Sequence, residues 1–410
     1  ENRIKEIIDQ NITKIALLKY IIDNESTRLN ILRLAVTTQY VFVVEGWIPN
    51  SNYDQFVNYV NTKLKYAIIE SVDIVEEPPV ELRNPKPLKS FEIITKLYGY
   101  PSPHEWDPTP ILAYSFAAFY GIMLGDAGYG IGQIIATRYL LPKFVENPES
   151  EDFKHLQRVL YATGIVSIIL GFLMGSFFGP RPLPTSVFPT NLVETMKLLM
   201  AISLLIGFIH VIIAHLIAAA KNLKLNNKWV ALNEIAIIMA MVFGGPYTLY
   251  MIKQIELPEP LAVYVLQPLT FISLALIVLS KIKSLGAIGI MLWLFDLTGA
   301  LGDVLSYLRL AGLAIATIIL AKVFNEIGIG IMASMSAIAG PFVGIVLSAI
   351  VGIVFFFIAH LFNLAISILG AFVHSLRLCM LEFSSKFFEG TGKPFRPVRM
   401  VLTRYIALRK

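Results

Sequence analysis

The sequence predicts an α-helical polytopic membrane protein, and three observations predict it. Of 410 residues, 56% are hydrophobic and only 15% are charged, with a mean hydropathy of +0.66. That is too apolar for an ordinary soluble domain. The apolarity is also segregated: residues 1–107 are mixed and charged, 108–383 carry long apolar runs, and 384–410 are basic and polar. Finally, the few polar residues inside the apolar part fall into stripes. The chain is therefore expected to comprise a cytoplasmic coiled-coil helix (1–33), a small α/β lobe with its linker (34–107), an eight-helix membrane domain (108–383) and a cytoplasmic tail (384–410).

Residues 2–33 read as one helix. Ile4, Ile8, Asn11, Ile15, Leu18, Ile22, Glu25, Leu29 and Leu32 alternate in steps of four and three, the seam of a coiled coil. No partner heptad follows, so the helix pairs with another chain or an absent strand, or packs as an amphipathic helix on a globular domain. Residues 40–47 suit a strand, 51–66 an amphipathic helix and 67–75 a second strand. Pro-rich stretches, E-E-P-P and N-P-K-P, then form an extended linker. The chain begins at Glu1 with no signal-peptide pattern and is expected to be a piece trimmed at its N-terminus.

A spanning helix needs ~20 apolar residues. Eight runs qualify: 109–125, 127–142, 157–179, 195–220, 229–252, 262–280, 285–325 and 341–380. The first two are short and meet near G-D-A-G-Y-G. The last two are overlong: forty residues at ~1.5 Å each reach ~60 Å, about twice the hydrocarbon thickness. Such helices must tilt, break or protrude. Basic residues set the orientation. Arg138, Lys143, Lys154 and Arg158, then Lys221, Lys224 and Lys228, then Lys281 and Lys283, lie on one side with the basic tail. The other side offers Arg181, Lys197 and Lys253. Both termini are thus expected in the cytoplasm.

A charge inside a spanning helix costs ~2.5–3.5 kcal/mol on insertion scales and needs a reason. Arg309, in S-Y-L-R-L, and Arg377, in H-S-L-R-L, stand out. Around Arg309 the face is small and polar: Asp296, Gly299, Asp303, Ser306, Gly312 and Ala316. Around Arg377 runs a stripe of His360, Asn363, Ser367, Gly370 and His374. Such a stripe must line water or protein. The plainer reading has both arginines snorkelling to an interface or pairing with Asp296 and Asp303. His210 and His215 are expected to be packed, hydrogen-bonded groups. Asp126, flanked by Gly125 and Gly128, is expected to be a structural cap at a tight turn. The single cysteine, Cys379, excludes an intrachain disulfide and a Cys-based metal site. No P-loop, metal cluster or nucleophile elbow occurs, so neither a cofactor nor ATP chemistry is expected of the chain itself.

Four blocks carry a family resemblance. Y-G-I-M-L-G-D-A-G-Y-G (120–130), D-V-L-S-Y-L-R-L-A-G-L-A-I-A (303–316), H-S-L-R-L-C-M-L-E-F-S-S-K-F-F-E-G-T-G-K-P-F-R-P (374–397) and V-V-E-G-W-I-P (43–49) resemble, in order, signatures of V/A-type ATPase membrane subunit a, also called subunit I, of the archaeal and bacterial branch. Tyr129, Thr317 and Cys379 stand where relatives often carry His, and Ser367 where eukaryotic members carry Glu.

The resemblance implies a two-lobed cytoplasmic arm on a coiled coil, then eight membrane helices of which the last two are long and tilted against a rotating c ring. It implies a stator role. Two aqueous half-channels would meet at Arg309 and Arg377, the partners of a c-ring carboxylate, and couple proton or sodium movement to ring rotation and to ATP synthesis or hydrolysis. Asp296, Asp303, Ser306, His360, Asn363, Ser367, His374 and Glu382 would line the channels. Implied partners are the proteolipids of the c ring, peripheral-stalk subunits E and G (H), the central-stalk socket (C/d) and the lipid bilayer of a cell membrane, with no nucleic acid. The alternative is a stand-alone secondary transporter whose intramembrane arginines bind an anionic substrate.

Overall fold

The computed structural model describes residues 2–72, 76–179, 191–338 and 343–397. The chain divides into two compact units, one within 1–81 and 393–410 and the other spanning Leu82–Gly392.

The first unit opens with α1 (Asn2–Leu34). Its seam residues Ile15, Leu18, Ile22, Leu29 and Leu32 are all exposed, so from Ile15 onward the seam is left open among the described residues. The strand expected over 40–47 shrinks to β2 (Phe42–Val43), paired antiparallel with β1 (Val36–Thr37). Helix α2 (Tyr53–Lys63) follows. Residues 67–72 form no strand. A strand gains its stability from a paired neighbour rather than from intrinsic preference, and this stretch has none among the described residues. The last three residues of that expected strand, and the tail beyond 397, lie outside the described residues. Val80 bridges Pro394, with backbone bonds of 2.8 Å to Lys393 and 3.0 Å from Phe395.

The second unit is helical. Its first residues, which the sequence suggests are linker, are folded: α3 (Glu92–Tyr98) packs near α4 and α6. Thr95 and Thr109 share a buried hydroxyl contact at 2.9 Å. Helix α4 (Thr109–Leu124) lies in the centre, with Leu112, Phe116, Phe119, Tyr120 and Leu124 buried. It contacts α6 (Glu151–Met174), α13 (Leu308–Ile338) and α14 (Val343–Arg377). Phe116 meets Phe372 edge-on at 5.5 Å, and Phe119 meets Tyr307 at 5.7 Å. Helix α7 (Leu192–Lys224) packs on α8 (Lys228–Met239), which a π turn joins to α9 (Gly245–Met251). Helix α10 (Glu259–Leu261) leads through another π turn into α11 (Gln267–Leu285), and α12 (Gly289–Ser306) follows.

Among the described residues, five helical stretches are long and apolar enough to cross a membrane: Glu151–Met174, Val193–Lys224, Lys228–Met251, Glu259–Ser336 and Gly344–Lys386. The 78-residue stretch Glu259–Ser336 contains both the sixth and the seventh runs of the sequence. At ~1.5 Å per residue it would measure about 115 Å, several times one crossing. Helix α5 (Ala127–Ile135) runs on through a π turn and a 3-10 turn to Lys143, close to the expected run 127–142. With α4 it forms a pair bent by 116°. The bend follows from Gly125, whose φ of 51° ends α4 in the left-handed region that only glycine enters freely.

Candidate functional site

Two local irregularities bring the intramembrane charges together. The first is at Tyr307, where the helix breaks between α12 and α13 two residues before Arg309. There the bonding tightens to a three-residue step, Tyr307 N to Val304 O at 3.1 Å and Leu310 N to Tyr307 O at 2.9 Å. Tyr307 is fully buried. Its ring lies against Gly207, where a Cβ would fall within 2.6 Å of it, and its hydroxyl bonds His210 Nδ1 at 2.6 Å. His210 also bonds Ser115 at 2.9 Å and stacks on Phe383 at 4.0 Å.

The second is the π turn Leu378–Phe383 at the end of α14. In an ordinary α-helix, a residue five positions on lies about 140° round from its start. The i→i+5 turn brings Glu382 back to the face of Arg377. Glu382 Oε1 then lies 3.6 Å from Arg309 Nη1 and 3.8 Å from Arg377 Nε. The Glu382 side chain is 6% exposed, against 22% for Arg309 and 54% for Arg377. The carboxylate is therefore the most buried of the three charges and Arg377 the most exposed. Arg309 Nη1, Glu382 Oε2 and His374 Nδ1 are buried atoms without a hydrogen-bond partner among the described residues. Outside the spanning helices, burial pushes the Tyr98 phenol above its ordinary value, and the Glu382 charge adds to the shift.

The other sequence candidates fall elsewhere. Asp303 is paired with Lys386 at 2.6 Å. Asp296 is held by Lys281 at 2.7 Å and by Asn233 at 2.9 Å, and Ser280 bonds Asn233 in turn at 3.0 Å. Among the described residues neither acid pairs with an arginine; each answers to a lysine. Ser306 is half-buried on the last turn of α12. His215 bonds Glu234 at 2.6 Å.

His360, Asn363 and Ser367 join a network between α5, α13 and α14. The Tyr129 hydroxyl bonds His360 Nδ1 at 2.7 Å and accepts from Asn363 at 2.7 Å. Asn363 also reaches the Thr317 carbonyl at 3.3 Å and accepts from Ser367 at 3.3 Å, while Thr317 and Ser367 share a hydroxyl contact at 3.1 Å. His360 Nε2 bonds Asn325 at 3.1 Å. At that end a cavity of about 450 Å³ is lined by Phe178, Asn325, Ile329, Phe356 and His360. Sequence reasoning took Tyr129 and Thr317 only as departures from a pattern. Asn325 was missed because, beside Lys322 and Glu326, it reads as the polar end of the seventh run.

Asp126 caps α5 and ties the α4–α5 bend to the end of α6. One oxygen accepts from the amides of Tyr129 at 2.9 Å and Phe178 at 3.0 Å; the other accepts from Ser176 Oγ at 2.6 Å and the Gly179 amide at 3.0 Å. The Phe178 ring lies against Gly128.

The family model of the V-type ATPase 116kDa subunit family matches residues 1–194 and 297–400. The chain belongs to the V-type ATPase 116kDa subunit family. Among similar proteins of that kind, the A-type ATP synthase subunit I of Pyrococcus abyssi is 32% identical over 405 residues, covering 96% of this chain and 59% of that protein. Its counterpart in Pyrococcus horikoshii is 29% identical, covering 97% of this chain and 60% of that protein. The Methanocaldococcus jannaschii subunit I is 30% identical, covering 88% and 55%. The chain thus spans a little over half the length of these relatives. Family membership and the apolar helices together make it a membrane protein. Both arginines and Glu382 fall inside the second matched segment, 297–400.

Proposed function

We propose that this chain is the stator ion-channel subunit of a rotary V/A-type ATPase, forming two half-channels against a c ring. The observation that carries the reading is the pair of arginines, Arg309 and Arg377, gathered on one carboxylate more buried than either, within the apolar helices. Two guanidiniums and one carboxylate leave one positive charge. A single incoming carboxylate would neutralise it.

The mechanism follows from that charge. A ring carboxylate crosses lipid only when neutral, because the bare anion is too costly there. Opposite Arg309 the ionised form is favoured and the ion is released. The guanidinium stays charged when desolvated, which a lysine does not guarantee. Standing between the two half-channels, it bars direct leakage. The Tyr129–His360–Asn363–Ser367–Thr317 network and its cavity supply a polar route beside the middle of α14, away from Arg377. Ser367 precedes Arg377 by ten residues, ~15 Å along the helix, and Thr317 follows Arg309 by eight, ~12 Å. His374 and Ser306 stand nearer the arginines. Asp296 and Asp303, each on a lysine, would line the cytoplasmic side.

In this reading the unit has eight membrane-embedded helices, the first two being the arms of the α4–α5 bend, and both termini face the cytoplasm. Helix α1 and its lobe belong to an arm that meets peripheral-stalk subunits E and G (H), with the socket (C/d) on the central stalk. The test is Arg309→Ala in the assembled complex. ATP-driven ion uptake into vesicles should vanish while the complex still assembles. Undiminished uptake would refute the reading.

A further inference from the structure

We infer that Glu382 is an internal counter-ion that holds Arg309 and Arg377 between visits of an external carboxylate, and that it yields Arg309 when that carboxylate arrives. The inference rests on the stator reading and adds a positioning residue to it.

Three features support it. The first is cost. Arg309, the more buried of the two guanidiniums, would be penalised in a low-dielectric bundle with no counter-charge. Glu382 is the carboxylate placed to offset this, since Asp303 is already held by Lys386 at 2.6 Å. The second is looseness. Charge-assisted Arg–carboxylate bonds run ~2.7–2.9 Å, often as two parallel bonds. Here each arginine approaches the same oxygen singly, at 3.6 and 3.8 Å. Arg309 Nη1 and Glu382 Oε2 make no hydrogen bond among the described residues. Such a pair neutralises charge without locking it. The third is layering. Glu382 is buried behind the two more exposed arginines, so an outside carboxylate can engage Arg309 without displacing Glu382 from the fold. The arginine then exchanges one anion for another and is never left bare.

The experiment uses the assembled complex in vesicles, with ATP-driven ion uptake and ATP hydrolysis measured per complex. Glu382→Gln keeps the shape and removes the charge. Without the competing anion, Arg309 should hold the ring carboxylate longer. Uptake and hydrolysis should fall together by about tenfold, equivalent to about 1.4 kcal/mol of barrier, with ions moved per ATP unchanged. Glu382→Asp, which retains the charge, should recover at least half the rate. A purely structural role would instead reduce the amount of complex and leave the rate per complex alone. A Glu382→Gln rate within about twofold of the parent, or a changed ion-to-ATP ratio, overturns the inference. If Glu382→Gln does not assemble, Glu382→Asp decides: a loss as deep as that of Arg309→Ala also overturns it. An Arg309→Ala complex that still pumps would sink the stator reading itself. Loss there with an unaffected Glu382→Gln complex sinks only this inference.

Discussion

Asp126 and Arg309 are both charged residues inside the helical unit, yet the surroundings treat them oppositely. Asp126 is completely buried and its two oxygens accept four hydrogen bonds; nothing is left for a ligand. Arg309 keeps a buried nitrogen without a hydrogen bond among the described residues and a carboxylate at arm's length. The first pattern is that of a fastener, the second that of a group with a vacancy in its bonding. Asp126→Asn should therefore act on stability. The new amide turns a donor toward donors, stranding one or two of them at ~1–3 kcal/mol each. We expect a loss of about 2–4 kcal/mol, read as a lower thermal unfolding midpoint in detergent; an unchanged midpoint would remove the fastening role. The two arginines were legible in the sequence because a charge in an apolar run has few bland explanations. Their link to Glu382 was not, since five residues of ordinary helix would place that acid on another face.

Helix breaks govern what each element contributes. The positions of the apolar runs followed from composition, and α6, α7, α11 and α14 lie within a few residues of them. The break at Tyr307 did not, because no Pro or Gly marks it. Its cause is tertiary: a large ring seated against Gly207 with its hydroxyl fixed on His210. The expected strand at 67–75 failed for the converse reason. Its alternating residues suit a sheet, but the described residues offer 67–72 no partner strand to complete one. Tyr307→Phe tests the tertiary account of the break. It keeps the ring and strands the buried His210 Nδ1, costing ~1–3 kcal/mol. Because Arg309 is only two residues on, uptake per complex should also fall, while the more distant substitution Ser284→Ala, on an exposed hydroxyl, should leave both unchanged. A full-rate, full-stability Tyr307→Phe complex would show that the hydroxyl does not set the break.

At the scale of the whole molecule, the open question is where α1 spends its apolar seam. Ile15, Leu18, Ile22, Leu29 and Leu32 repeat at heptad spacing and are all exposed. A coiled-coil stripe left in water gains nothing from its hydrophobic residues; the same stripe against a second helix would gain roughly 25 cal/mol for every Å² it buries. The chain spans little more than half of its relatives' length, so proteins of that kind are long enough to hold a pairing helix as well. This separates two stabilities that are usually measured as one. Leu18→Asp combined with Leu29→Asp alters two side chains that are more than half exposed in the described chain. In this chain alone the unfolding midpoint of the membrane unit should not move. Beside a helix that completes the seam, the same pair should lower the unfolding temperature of α1 and its lobe, because two charges would then be buried there, and under the stator reading proposed above it should also weaken binding of peripheral-stalk subunits. If the chain alone is destabilised, α1 packs on its own lobe as an amphipathic helix. If neither form responds, the seam has no partner and the heptad carries no structural meaning.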